Sequence, residues 1–349
     1  MKKKSIILLF SFIGGITLLL ILLGLNLDKS ENEKQNGITN QYDISSQNTI
    51  AYVNYKDGKP SLMLYNKEKD INAEAFSLDS SRMILDPSFS YDGSLLSFIS
   101  TNKQQDEDTA FKTTIHILDL STKQVTDAFT ENELITETEF SPVDDTLYYL
   151  RAGTFQNYSP IASKRPHDLD VWSFNPAEGE HKQITDLKSY SMHSLQLNPG
   201  ENSVFIQMDD DQGADTPEET FEVKQRIFEI PIDNPDSMKI AGDPDRKMDV
   251  FDFTFSPDGD TMIFQSISNS DEGGTYEYEL YKMDVDSGEE AQLTHLGEYT
   301  DRPVFSADGD RVYFMVDKRF AKGSPEYHLY SVKLNGKEIE KIELPLSED

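Results

Sequence analysis

Self-similarity along the chain narrows its possible folds more than any other property. Five segments align: Phe89-Ser-Tyr-Asp-Gly-Ser, Phe140-Ser-Pro-Val-Asp-Asp, Leu197-Asn-Pro-Gly-Glu-Asn, Phe255-Ser-Pro-Asp-Gly-Asp and Phe305-Ser-Ala-Asp-Gly-Asp. A degenerate sixth copy starts at Ile44, and the intervals between successive anchors are 45, 51, 57, 58 and 50 residues. A strand-type apolar stretch follows each anchor, as at Leu95 to Ile99, Val204 to Met208 and Val312 to Val316. A second motif keeps the same period, with apolar cores beginning at Leu62, Ile115, Val171, Ile227, Leu280 and Leu329, most of which run on into another turn. Asp-Gly supplies the positive φ that tight hairpins require, so each unit reads strand, turn, strand, loop, strand, turn, strand. Four antiparallel strands per period of roughly 40 to 50 residues is the signature of a propeller blade.

Closure follows from the apolar character of both strand faces, seen in Phe253, Phe255, Ile263 and Phe264. A single four-stranded sheet of this kind needs covering on both sides, and blades arranged about an axis supply that cover. An open solenoid would need polar capping repeats, and neither terminal repeat is visibly more polar. The fold expected is therefore all-β, a six-bladed β-propeller of four-stranded antiparallel blades over residues 38–349, preceded by one N-terminal transmembrane helix.

That helix is read from Lys2, Lys3 and Lys4 followed by an uncharged run from Ile6 to Leu27. The run has the length of a bilayer span, and no small-residue cleavage site follows it. Lysines before a span keep that end in the cytoplasm. Residues 1–5 are expected to be cytoplasmic, 6–27 to be the anchor of a single-pass cell-membrane protein, 28–37 to be a polar tether, and the propeller to be extracytoplasmic. The chain contains no cysteine, so disulfides do not supplement the core and lipidation on cysteine is excluded. Net charge is −31, or −34 once the anchor lysines are set aside, which disfavours nucleic acid and anionic lipid headgroups as partners.

The anchor Phe-Ser-Pro-Asp-Gly, an apolar strand, Leu-Tyr or Val-Trp, then Asp-x-x-x-Gly and Leu-Thr together resemble the TolB-type β-propeller repeat family over residues 44 to 344. The resemblance implies a propeller and a cell-envelope setting. Its repeat marks strands and turns and carries no activity of its own. The chain departs from TolB in placing an apolar span where that family has a separate α/β domain, which puts a TolB role with its usual partners in question.

Enzymatic readings meet obstacles. A peptidase of the prolyl-oligopeptidase type needs a Gly-x-Ser-x-Gly elbow, which the chain lacks. A metal-dependent polysaccharide lyase on the same fold needs converging ligands, and His116, His167, His181, His193, His295 and His328 show no ligand-type spacing. The acidic runs Asp209 to Asp215 and Asp243 to Asp249 match no calcium-loop spacing, and Asp92, Asp258 and Asp308 read as turn formers. Neither a cofactor nor a metal is expected, and the chain is expected to be a non-enzymatic scaffold for a protein, peptide or envelope polymer. The alternative is the metal-dependent or small-molecule-processing enzyme.

Two binding regions stand out. Long middle loops, which include Tyr158, Arg165 and His167 and the acidic loop 209–220, gather on the face opposite the Asp-Gly turns. Three residues before each anchor the chain has Gln41, Asp86, Glu137, Ser194, Asp252 and Arg302. If the first strand of every blade lines the axis, Asp86, Glu137, Asp252 and Arg302 form a charged binding site at the channel mouth, with Arg302 able to hold a carboxylate.

Overall fold

A computed structural model describes residues 11–18, 20, 24, 31–103, 111–153, 167–199, 202–211, 223–270 and 274–345. Most of the expected anchor lies outside the described residues. Within 6–27 the described positions are helical, at 11–18, 20 and 24. Among the described residues no helix is long and apolar enough to cross a membrane.

The described chain is all-β apart from short helical segments, and its strands form consecutive antiparallel meanders of four, at residues 37–77, 82–131, 135–183, 192–240, 251–292 and 299–342. The last two meanders are joined into one eight-stranded sheet by a parallel pairing of Tyr278 with Tyr299. Every meander is contiguous in sequence, so no sheet is shared between the two ends of the chain.

The core sits between meanders, as expected of strands that are apolar on both faces. Its buried residues divide into clusters, each drawn from two neighbouring meanders. One cluster packs Tyr42, Tyr52 and Met63 of the first meander against Met315 and Leu329 of the last. Side-chain bonds reinforce that seam: Tyr42 donates to the Arg302 carbonyl at 2.7 Å, Asn40 donates to Asp301 at 2.7 Å, and Tyr52 donates to the Pro345 carbonyl. Among the described residues the first and last meanders are therefore held together by packing and side-chain bonds.

The anchors make the turns that the sequence calls for. Ser90 donates its hydroxyl to Asp92 and accepts the Leu95 amide at 2.9 Å, and Gly93 takes φ 69°. Ser256 with Asp258 and Ser306 with Asp308 repeat the arrangement, with Gly259 and Gly309 at φ 80° and 72°. The Ser94 amide on Asp92, and the serine hydroxyls on all three, hold the carboxyls of Asp92, Asp258 and Asp308 below the usual range, so the anchor aspartates act as turn formers. A side chain at Gly93 or Gly259 would collide with Ser46 or Asn198 of the neighbouring anchor, so the turns also set how closely meanders nest.

Candidate functional site

The first strands of the meanders, Gly37–Ile44, Arg82–Phe89, Ile135–Phe140, Met192–Leu197, Phe251–Phe255 and Tyr299–Phe305, pack side by side in sequence, and the last returns to the first. They enclose an axial passage. Each breaks register with its partner strand just ahead of its anchor, a β-bulge repeated around the axis. Asp86, Ser194 and Arg302 sit in these bulges at φ 45°, 56° and 47°, a left-handed conformation that costs energy in a non-glycine residue.

Bulges re-aim side chains, and here they turn the repeat position toward the neighbouring meander. Gln41 accepts the Asp86 amide at 2.8 Å. Asp86 in turn accepts the Thr138 amide, and Glu137 the Leu195 amide, each at 2.7 Å. Ser194 donates to Asp252. Arg302 Nη1 reaches from the last meander to Asp86 Oδ1 at 3.0 Å. A small cavity of about 70 Å³ is lined by Asp86, Glu137, Asp252 and Arg302, so the four charged positions picked out by the repeat meet in one place.

The electrostatics are those of many acids around one guanidinium. Burial pushes the Asp86 carboxyl up to about 7 against the pull of Arg302, and burial likewise raises Glu137. Asp301, four residues ahead of its anchor, is pushed well above the carboxylate range by burial and by the charge of Asp252. Desolvation would raise Asp252 as well, yet a hydrogen bond from Asp301 and the charge of Arg302 hold its carboxyl down. Burial alone would lower the Arg302 guanidinium, but Asp86, Asp252, Glu137 and Asp301 together hold it above its ordinary value. Among the described residues no other acceptor takes its Nη2 or Nε, so a ligand carboxylate could be added to that face of the fork.

The passage widens toward the Asp-Gly turns into a larger cavity of about 290 Å³. Its wall contains all six anchor side chains, and it meets the smaller cavity at Asp43, Glu139, Gln196 and Val304. Asp43 and Glu139 stand one residue ahead of their anchors and were not among the expected site residues. Period-two alternation from the position three residues ahead leads to the position one residue ahead, so extending the scan by one step finds them.

Other expectations fall elsewhere. Tyr158, Arg165 and most of the acidic loop 209–220 lie outside the described residues. His167 is buried, accepts or donates a 2.9 Å bond with Asp168 and stacks on Tyr190. His116 is buried between Ser100 and Asp127, at 2.7 and 2.8 Å. Asp249 accepts the Gln225 amide, a bond between loop and strand. Among the described residues no group of three or more histidine or carboxylate side chains is placed to hold a metal ion.

No family model matches the chain. An uncharacterized protein of Agrobacterium fabrum is 30% identical over 88 residues, which cover 25% of this chain and 26% of that protein. TolB from Acinetobacter baumannii superposes with a TM-score of 0.56 at 15% identity, over 79% of this chain and 58% of its own. An oligogalacturonate lyase in complex with manganese gives 0.53 at 15% identity, over 84% and 77%. Peptidases are also among the solved structures of similar fold. The chain thus spans well under two thirds of both the curated relative and the TolB structure, and at these identities the likeness to solved structures is one of architecture. The fold is TolB-type and propeller-like.

Proposed function

We propose that the chain is a membrane-anchored, extracytoplasmic, six-bladed propeller that binds a protein, peptide or envelope polymer at the axial mouth and catalyses no reaction. The observation that carries this reading is the convergence of Asp86, Glu137, Asp252 and Arg302 on one cavity. The six successive meanders and the packed seam between first and last support a closed ring. Lys2 to Lys4 and the apolar run to Leu27 support an anchor with its N-terminus in the cytoplasm. The partner is expected to present a carboxylate to Arg302, because that guanidinium is the only cation lining the smaller cavity among the described residues. Crosslinking of the anchored protein in its native membrane, followed by pull-down, tests the reading. A specific partner whose recovery depends on Arg302 supports it, and recovery indifferent to Arg302 removes the mouth as the site.

The likeness to oligogalacturonate lyase motivates a second reading, an enzyme acting on a polysaccharide. Incubation of the purified chain with oligogalacturonides and Mn²⁺ separates the two. Appearance of unsaturated products would favour the lyase, and intact substrate the scaffold.

A further inference from the structure

The cavity on the Asp-Gly-turn side has a composition unlike the mouth. An apolar belt of Ile44, Phe89, Phe140, Leu197, Phe255 and Phe305, each keeping 4–9% of its surface exposed, runs through a wall that also carries serines, Thr254 and Gln196. Among its described lining residues there is no lysine, arginine or histidine, and the two charged groups are the carboxylates of Asp43 and Glu139. Asp43 accepts the Phe89 amide at 2.7 Å through Oδ2, and Glu139 accepts from Ser88 at 3.1 Å through Oε2. Neither carboxylate forms an ion pair among the described residues; the Ile44 amide also bonds Asp43, and Glu139 keeps one oxygen for which no bond is described. Tyr91, half exposed, reaches over the rim with its hydroxyl 3.4 Å from the Pro257 carbonyl.

We propose that this cavity is a binding site for a primary ammonium group carried on an apolar aliphatic or aromatic body. The ammonium donates to Asp43 and Glu139 at the floor, and the body displaces water from the six anchor side chains. A free amine and the lysine side chain of an extended peptide share this chemistry. A hydrated divalent cation fits less well, because it asks for six or more oxygen ligands and the two carboxylates stand beside a belt of six apolar side chains. An anionic group would enter a site with two carboxylates and no described cation. Electrostatics agree with the geometry. Burial pushes Asp43 up to about 7 and Glu139 well above the carboxylate range, and an ammonium bound beside them would draw both back toward the charged form. This site adjoins the mouth proposed above, with which it shares Asp43 and Glu139 as lining, but it does not require that the mouth bind a partner.

Isothermal titration of the full-length chain in detergent at pH 8 tests the proposal, with phenethylamine, the neutral 2-phenylethanol and acetyl-Gly-Lys-Gly-amide as probes. Saturable binding is expected for phenethylamine, at least tenfold tighter than for the alcohol. Asp43→Asn and Glu139→Gln should each weaken the amine at least tenfold while unfolding no earlier than the parent at pH 8, which separates a lost site from a lost fold. Tighter binding of the lysine peptide than of phenethylamine would assign the ligand to a macromolecule, and the reverse to a free amine. Equal binding of amine and alcohol, no saturable amine binding at millimolar concentration, or parent-like binding by the double variant would overturn it.

Discussion

The two ends of the axial passage are built from the same repeat, yet they spend their polar groups differently. At the mouth, the carboxylates of Asp86 and Glu137 close bonds to the next meander's backbone, and Asp86 also takes Arg302. At the turn end, Asp43 likewise takes the Phe89 amide of the next meander and Glu139 takes the Ser88 hydroxyl of the preceding one, but neither meets a described cation, and both face a cavity about four times larger. The difference arises at the bulges. A bulge shifts a side chain off the strand's alternation, and at the mouth it brings Arg302 across to Asp86, whereas no described basic side chain lines the turn-end cavity. Carboxylates at both ends are therefore partly mortar between meanders, and those at the turn end are the ones that no described cation meets.

The ring is the premise of this comparison, and removing residues 299–349 attacks it most severely. Without the last meander, the apolar faces that meet in the closing cluster are exposed at Tyr42, Tyr52 and Met63, and Asp86 loses Arg302. The remaining chain is expected to lose its β-sheet circular dichroism as a whole. A truncated protein with a cooperative, parent-like urea transition would show that the seam is dispensable.

A smaller effect is expected from Arg302→Ala, which leaves Asp86, Glu137, Asp252 and Asp301 without their cation. Breaking a buried pair by removing one partner costs several kcal/mol, and with Arg302 27% exposed a loss of about 3 kcal/mol in urea unfolding is reasonable. Arg302→Lys should recover part of it, because charge is kept and the planar fork is lost. No change in urea midpoint for Arg302→Ala would mean that the mouth carboxylates are held neutral without it.

The mildest expected effect sharpens the account of the turn end. Asp43 is raised in the folded protein from an ordinary carboxylate value to about 7, so the folded state holds its proton more tightly than the unfolded chain does. Its contribution is thus fully present below about pH 4 and is lost as pH rises through about 7. Asp43→Asn removes that dependence while keeping an oxygen for the Phe89 amide. The variant should match the parent near pH 4 and exceed it at pH 8, by a few kcal/mol at most. A variant less stable than the parent at pH 8 would show that the carboxylate is needed by the fold.

Much of the architecture was legible because it is written in turn chemistry. The Ser-x-Asp-Gly anchors need glycine for positive φ and a short acceptor for the amides, and both requirements leave residue-level marks every few tens of positions. The convergence of Asp86, Glu137, Asp252 and Arg302 was also legible, since equal repeat position means equal height on the axis. Their partners were not. Nothing in Arg302 or Ser194 announces a left-handed backbone, and a bond from Glu137 to the Leu195 amide depends on a bulge that hydrophobic patterning does not encode. The turn-end cavity escaped because one residue ahead of the anchors the chain has Asp43, Ser88, Glu139, Gln196, Thr254 and Val304, a mixed set in which charge does not recur.

The reading of the mouth as a recognition site stands or falls on Arg302. The decisive measurement is the amount of partner crosslinked and recovered from the native membrane by the parent, Arg302→Lys, Arg302→Ala and Asp308→Asn, each normalised to its folded fraction by circular dichroism. The account predicts parent-like recovery for Asp308→Asn, at least a tenfold fall for Arg302→Ala, and an intermediate value for Arg302→Lys. Recovery by folded Arg302→Ala equal to that of the parent would contradict it.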